Sequence, residues 1–285
     1  MIVVTGATGR IGKALVLQLS GGGFRVRALV RDRAKAMAIT NPNVEIVVCD
    51  TSRPEALTRY MKGADHLFLL TAADPLQVEH QGSLVEAARR AEVQHVVKLS
   101  VFGASPDAPT ALGRWHAQTE QQIETSGLQW THLRPQFFMQ NLLGFAPAIA
   151  NDRTLQAPLG AGRIAMVDSR DVAAVAAVVL TNPGHAGHTY EITGPDAVSF
   201  QDIVSKINRV TDQPVSYVDM PPDRAREEML AAGLPTWMAD DLSVLYTSFR
   251  NGQGATVTNV VQKVTGYEPR SIDHFVREHA FTFGA

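Results

Sequence analysis

Residues 5–12 read TGATGRIG, directly after the apolar run Met1-Ile2-Val3-Val4. Glycines at 6, 9 and 12 let a backbone turn tightly and approach a pyrophosphate, and the N-terminus of a following helix favours its charge. A glycine trio alone is a weak signal. Here it lies between a buried strand and a helix, at the head of an alternating chain, and that context makes it a phosphate loop. Gly6, Thr8, Gly9, Arg10, Ile11 and Gly12 are its candidate contacts. The competing reading is a tight turn that only packs the helix onto the strand.

Outward from the loop, short β-branched runs alternate with helical stretches, the pattern of βαβ units. Strands are expected at Ile2–Thr5, Arg25–Val30, Val44–Val48, His66–Thr71, His95–Ser100 and Gln129–Arg134. Runs that are apolar at nearly every position, such as LFLL, belong to a sheet covered on both faces. The fold class is α/β: a doubly wound, Rossmann-type parallel sheet with a smaller C-terminal α/β lobe. We expect a dinucleotide-binding domain over 1–150 and a substrate-side lobe over 151–285, with the helix near 171–181 packed on the first domain. Ser199-Phe-Gln-Asp202 reads as a capping box, and Asp273 as the cap of a last helix.

The bulk numbers exclude several functions. Among 285 residues, 45% are hydrophobic and 19% charged, with net charge −2, so neither nucleic acid nor an anionic membrane is indicated as a partner. Cys49 is the single cysteine, which fits a reducing compartment. MIVVTGATGR has no basic leader and the longest apolar run, 172–180, is too short to span a bilayer. The expected location is cytoplasmic. His185-Ala-Gly-His188 has a metal-compatible gap, but no further ligand cluster joins it, and no metal is expected.

The second strand ends ALVRDRAK. Arg31, with Arg33 and Lys35 behind it, stands where an NAD site would place a carboxylate. A guanidinium can fork onto the 2′-phosphate of NADP. Asp32 argues the other way if the strand runs one residue further. NADP(H) is the expected cofactor.

TGATGRIG, THLRPQFFMQN (131–141) and GHTYEITGPD (187–196) together resemble the NmrA-like branch of the extended and atypical short-chain dehydrogenases. That branch holds quinone, azo-dye and triphenylmethane-dye reductases beside non-catalytic redox sensors. The resemblance implies that Asp50 meets the adenine, that Thr71 and Ala72 line the cofactor, and that Pro135 lies beside the nicotinamide.

Many short-chain dehydrogenases use Tyr-x-x-x-Lys on the helix after the fifth strand as their proton donor. Extended members often add a glutamate four residues on. Anchoring on Glu120 in TALGRWHAQTE (110–120) places the lysine position at His116 and the tyrosine position at Leu112. The tyrosine is absent. A simple ketone needs a positioned acid, worth ~10²–10⁴-fold in rate, whereas a quinone, azo group or carbocationic dye yields a stabilised product that solvent or an imidazole can protonate. His116 is the candidate donor, with an exposed surface histidine as the alternative. In the solvent version its loss costs less than ~10²-fold. Ser100 resembles the family's hydroxyl position.

Gln136, Phe137, Phe138, Met139 and Asn141 follow the sixth strand, where a doubly wound fold binds ligands. They read equally as core or as the floor and polar edge of a slot for a planar acceptor, with Trp237 and Met238 closing over it. Two functions share this loop: an NADPH-dependent reductase of a quinone-like acceptor, and a dinucleotide sensor that acts through a protein partner.

Overall fold

A computed structural model describes residues 1–50 and 54–284. Its centre is a seven-stranded sheet built from β1 (Ile2–Val4), β2 (Val26–Val30), β3 (Val44–Val48), β4 (His66–Leu69), β5 (His95–Leu99), β6 (Gln129–Pro135) and β9 (His188–Ile192). The order is β3-β2-β1-β4-β5-β6-β9, with every neighbouring pair parallel. Strands added after β1 move toward one edge and those after β4 toward the other. The order therefore reverses between β1 and β4, which opens a crevice at their carboxyl ends.

Helices cover both faces. α1 (Arg10–Gly21) buries Ile11, Leu15, Val16 and Leu19, one stripe at helical spacing, and packs beside α6 (Ser169–Thr181). It stops at Gly21-Gly22-Gly23, where Gly23 takes φ +84°. The opposite face is covered by α2 (Pro54–Met61), α3 (Gln77–Arg90) and α4 (Ala111–Glu124). Strands so enclosed are apolar almost throughout, and the exceptions stand out: Lys98 and His132 are fully buried.

The remaining chain includes α5 (Ala146–Asp152) and two small sheets. β7 (Thr154–Ala157) pairs with β11 (Ser216–Asp219), and β8 (Arg163–Ile164) pairs with β10 (Val198–Ser199). The helices that follow are α7 (Phe200–Ile207), α8 (Pro222–Ala231), α9 (Thr236–Arg250), α10 (Val260–Thr265), which packs on α6 and the main core, and α11 (Ile272–Glu278). The Ser199/Asp202 capping box forms at α7. At α11 the cap is Ser271, and Asp273 sits in the first turn bound to Lys206. β9 is the seventh strand of the main sheet, so the chain returns to it after β7 and β8. No helix among the described residues is long and apolar enough to cross a membrane.

Two buried histidines give the fold a pH signature. Burial pushes His95 and His132 down to about 4, so both are neutral in the folded state at pH 7. Below 6.5 the unfolded chain binds protons that the folded one refuses. Their contribution is therefore complete above pH 6.5 and is lost as pH falls toward 4. Between pH 6.5 and 5 the loss should be about 2 kcal/mol per histidine. Urea unfolding at pH 7 and pH 5 measures it, and equal stabilities would contradict the assignment.

Candidate functional site

The phosphate loop is built by contacts that only glycine permits. Gly6 has φ +63°, and a Cβ there would lie 2.8 Å from Leu70. A Cβ on Gly12 would come within 2.2 Å of the Gly6 carbonyl oxygen, so the helix rises directly out of the loop. Thr5 Oγ1 locks this turn to β4 by accepting from Leu70 N–H at 2.9 Å and donating to Leu70 O at 2.9 Å. Gly9, the N-cap of α1, has φ −75° and offers no side-chain cap, and the first turn carries no acid. The amides of the first turn point out of the helix with no side chain to receive them. Those are the donors an anion needs.

The carboxyl edge of the sheet gathers most of the residues singled out from sequence. Gly6 follows β1, Arg31 follows β2, Asp50 follows β3 by one residue, Thr71 and Ala72 follow β4, Ser100 follows β5, and Gln136 follows β6. β2 ends at Val30, and Asp32 Oδ1 accepts from Ala34 N–H at 2.8 Å, turned into its own loop. Arg31 and Lys35 are exposed. Thr71 Oγ1 accepts from the buried Gln81 amide at 2.7 Å.

Beyond β6 the segment runs into core. Met139 is wholly enclosed, Phe138 packs against the main core, and Phe137 meets Tyr246 and Phe249 edge-on at ring distances of 6.3 and 5.6 Å. Gln136 turns its carbonyl back onto Phe137 N–H, while Asn141 is half-buried. Trp237 lies against Trp115 of α4 at 5.3 Å, and no ring contact joins it to Phe137. Beside this pair, Asp241 of α9 accepts from both Ala111 and Leu112 N–H at 2.7 Å, so a helix of the C-terminal part of the chain caps the first turn of α4.

Sequence reasoning missed two further groups. Gln140 ties the segment after β6 to the start of α6 and to the loop: its side chain bonds Asp168 and Ser169 N–H, and its carbonyl meets Arg10 at 3.5 Å. The other lies beneath α4. His116 is 8% exposed, so it is not a surface histidine. Lys98 Nζ, wholly buried, reaches His116 Nδ1 at 2.7 Å and Leu99 O at 3.2 Å. Glu120 takes both arms of Arg134, at 2.6 and 3.1 Å. Burial drives Lys98 down to about 7, against Glu120, which holds it up. Burial, then the Lys98 and Arg134 charges, keep His116 well below an ordinary imidazole. Burial is the strongest influence on Glu120 and would raise it, but the Arg134 fork, Ser100 and the nearby charge of His132 together leave it lowered. Ser100 Oγ helps hold that charge without reaching normal hydrogen-bond geometry. Elsewhere, His185 Nδ1 pairs with Tyr190 Oη and His188 stacks on the same ring.

Fold and loop define a dinucleotide-binding protein of the doubly wound α/β class. More narrowly, the chain belongs to the NmrA-like family, whose model matches residues 1–275. It is 38% identical to the NAD(P)H azoreductase of Xenophilus azovorans over the full length of both chains. It is 35% identical to the (4-alkanoyl-5-oxo-2,5-dihydrofuran-3-yl)methyl phosphate reductase of Streptomyces griseus, over 99% of each. Among solved structures, the NADPH-dependent quinone oxidoreductase QOR2 of Escherichia coli, in complex with NADPH, superposes with TM-score 0.89 at 26% identity, covering 98% of this chain and 99% of that one.

Proposed function

We propose that the chain is an NADPH-dependent oxidoreductase that delivers hydride to a quinone-like or dye-like electron-poor acceptor without a tyrosine–lysine pair. It is an NAD(P)H-using enzyme of its family. The names of its relatives, an azoreductase, a quinone oxidoreductase and a reductase of an oxo-dihydrofuran, support a small conjugated acceptor. The observation that carries the reading is α4. This helix carries Leu112 and a buried His116, the two positions that anchoring on Glu120 gives to a phenol and an amine.

The loop glycines and the uncapped start of α1 fit a dinucleotide pyrophosphate: side chains at 6 or 12 would collide with Leu70 and with the Gly6 carbonyl, so the turn that presents the first amides of α1 could not form. When bound, the cofactor supplies the hydride. Arg31 and Lys35 are the groups for a 2′-phosphate, with Asp50, Thr71, Ala72 and Pro135 along the remainder of the edge. Gln136, Phe137 and Asn141 border the acceptor. Met139, and largely Phe138, serve by holding that border in place.

Arg31→Ala should weaken NADPH binding roughly 10- to 150-fold, the worth of one charge-assisted fork, and leave NADH little changed. Calorimetry with both cofactors decides it, and equal losses would refute the 2′-phosphate role. The function itself is tested by following NADPH absorbance with a naphthoquinone, an azo dye and an unactivated ketone. Turnover is expected on the first two and not on the ketone. Tight NADPH binding without turnover of any acceptor would instead assign the chain to the sensors.

A further inference from the structure

We propose that Lys98 is the proton-positioning residue of this reaction: it fixes His116 as an Nε2–H donor and replaces the proton that His116 gives to the acceptor. The inference rests on the reductase reading. Its starting point is an anomaly of pairing. Lys98 is a fully buried amine flanked in β5 by Val97 and Leu99. A buried ammonium is ordinarily held by a carboxylate. Glu120 is the nearby candidate, but both its oxygens are committed to Arg134. Lys98 instead bonds a carbonyl oxygen and one imidazole nitrogen.

That choice has a chemical consequence. An ammonium can only donate, so His116 Nδ1 must accept and the ring proton must sit on Nε2. Nε2 meets no hydrogen-bond partner among the described residues, and His116 as a whole is 8% exposed. The pair lies next to Ser100, at the carboxyl edge where the phosphate loop opens. A proton held by a neutral imidazole and a carbonyl is far more labile than one held by a carboxylate.

The step balances without a further reagent. An acceptor that has taken hydride carries an oxygen or nitrogen anion. The Nε2–H bond of His116 breaks as the acceptor's O–H or N–H bond forms. One Nζ–H bond of Lys98 breaks as Nδ1–H forms, leaving Lys98 a neutral amine. Once product has left, water protonates Nε2 and Nδ1 returns its proton to Lys98. The net input is one proton from water. The groups facing this relay are His116, Glu120 and Glu124 from α4, and Arg134 and His132 from β6. Thr71, Gln77 and Gln81 on the β4–α3 side carry no charge.

The test compares two acceptors on the full-length, NADPH-saturated protein. A naphthoquinone needs a proton after hydride, whereas a triphenylmethane carbocation is neutralised by hydride alone. For the wild type, quinone turnover should fall as pH rises through about 7, where Lys98 loses its proton, and carbocation turnover should not. Lys98→Met should lower quinone turnover by ~100-fold or more, the scale of a positioned acid, and carbocation turnover at least ~10-fold less than that. Calorimetric NADPH affinity and a melting curve establish that the variant is folded. Independently of activity, ¹⁵N NMR should show His116 as the Nε2–H tautomer in the wild type, the signal being assigned by its absence in His116→Gln. An Nδ1–H tautomer, or the same pH profile for both acceptors, would overturn the relay while leaving the reductase standing. Reduction of neither acceptor by a protein that binds NADPH would remove the reductase reading, and the relay with it.

Discussion

Gly9→Val is expected to fold normally and to lose dinucleotide binding by at least ~100-fold, the loss of two charge-assisted hydrogen bonds at roughly 1.5–3 kcal/mol each. The backbone at Gly9, φ −75° and ψ 171°, is extended and open to any residue. A Cβ there would lie 3.3 Å from Gly6 O, tight but not prohibitive. What the isopropyl group obstructs is the approach of a pyrophosphate to the amides that open α1. The neighbouring glycines supply the contrast. Gly12→Ala would drive a methyl to 2.2 Å from Gly6 O, so it should damage the loop and stability together. Calorimetry and thermal melts on both variants separate the effects. Retained NADPH binding in a folded Gly9→Val protein would reduce the trio to a packing device.

The loop was legible because its glycines perform a backbone task that no other residue can, in a fixed strand–turn–helix context. β1, β4 and most of β5 were legible for a similar reason: enclosure on both faces demands continuous apolar runs, and those are local. β9 was harder to place. His188–Ile192 goes from exposed at His188 and Thr189 to buried at Ile192, as fits an edge strand, and nothing local says which sheet it joins. Trp237 shows the same limit across lobes, since its partner Trp115 lies over a hundred residues away.

His116 shows what polarity alone leaves open. GRWHAQTEQQ is polar enough to leave a surface histidine open as the alternative to a donor, and the small effect expected on replacing His116 belonged to the version in which solvent supplies the proton. The face is buried all the same, because the strands beneath it are polar too. The signal was present in Lys98 within HVVKLS and Arg134 within THLRP. Two cations in strands covered on both faces require acceptors on the covering helix. Glu120 and His116, four residues apart, are one turn apart on a single face of that helix.

That same pairing sets the largest stability effect. Arg134→Met should destabilise the protein by about 3–5 kcal/mol, because it strands the Glu120 carboxylate in a site it was never meant to occupy alone. Glu120 is 4% exposed at its side chain, against 22% for Arg134. Adding Glu120→Gln to Arg134→Met should recover much of the loss, since a neutral amide avoids the unpaired charge. The pH dependence has a definite sign. In the wild type the folded Glu120 pKa is depressed, so its contribution is present above the usual carboxylate value and is lost as pH falls through the folded one. Without Arg134 the carboxyl is instead pushed up by burial, and the penalty should shrink on acidification while Glu120 takes up a proton. Lys98 would then be the nearest cation to Glu120. Freed from the Arg134 charge that lowers it, it should keep its proton to higher pH. Quinone turnover in Arg134→Met should accordingly fall at a higher pH than in the wild type, even as the melting temperature drops. A loss below about 1 kcal/mol in urea unfolding would mean that the fork is only a surface pair of the kind that contributes little.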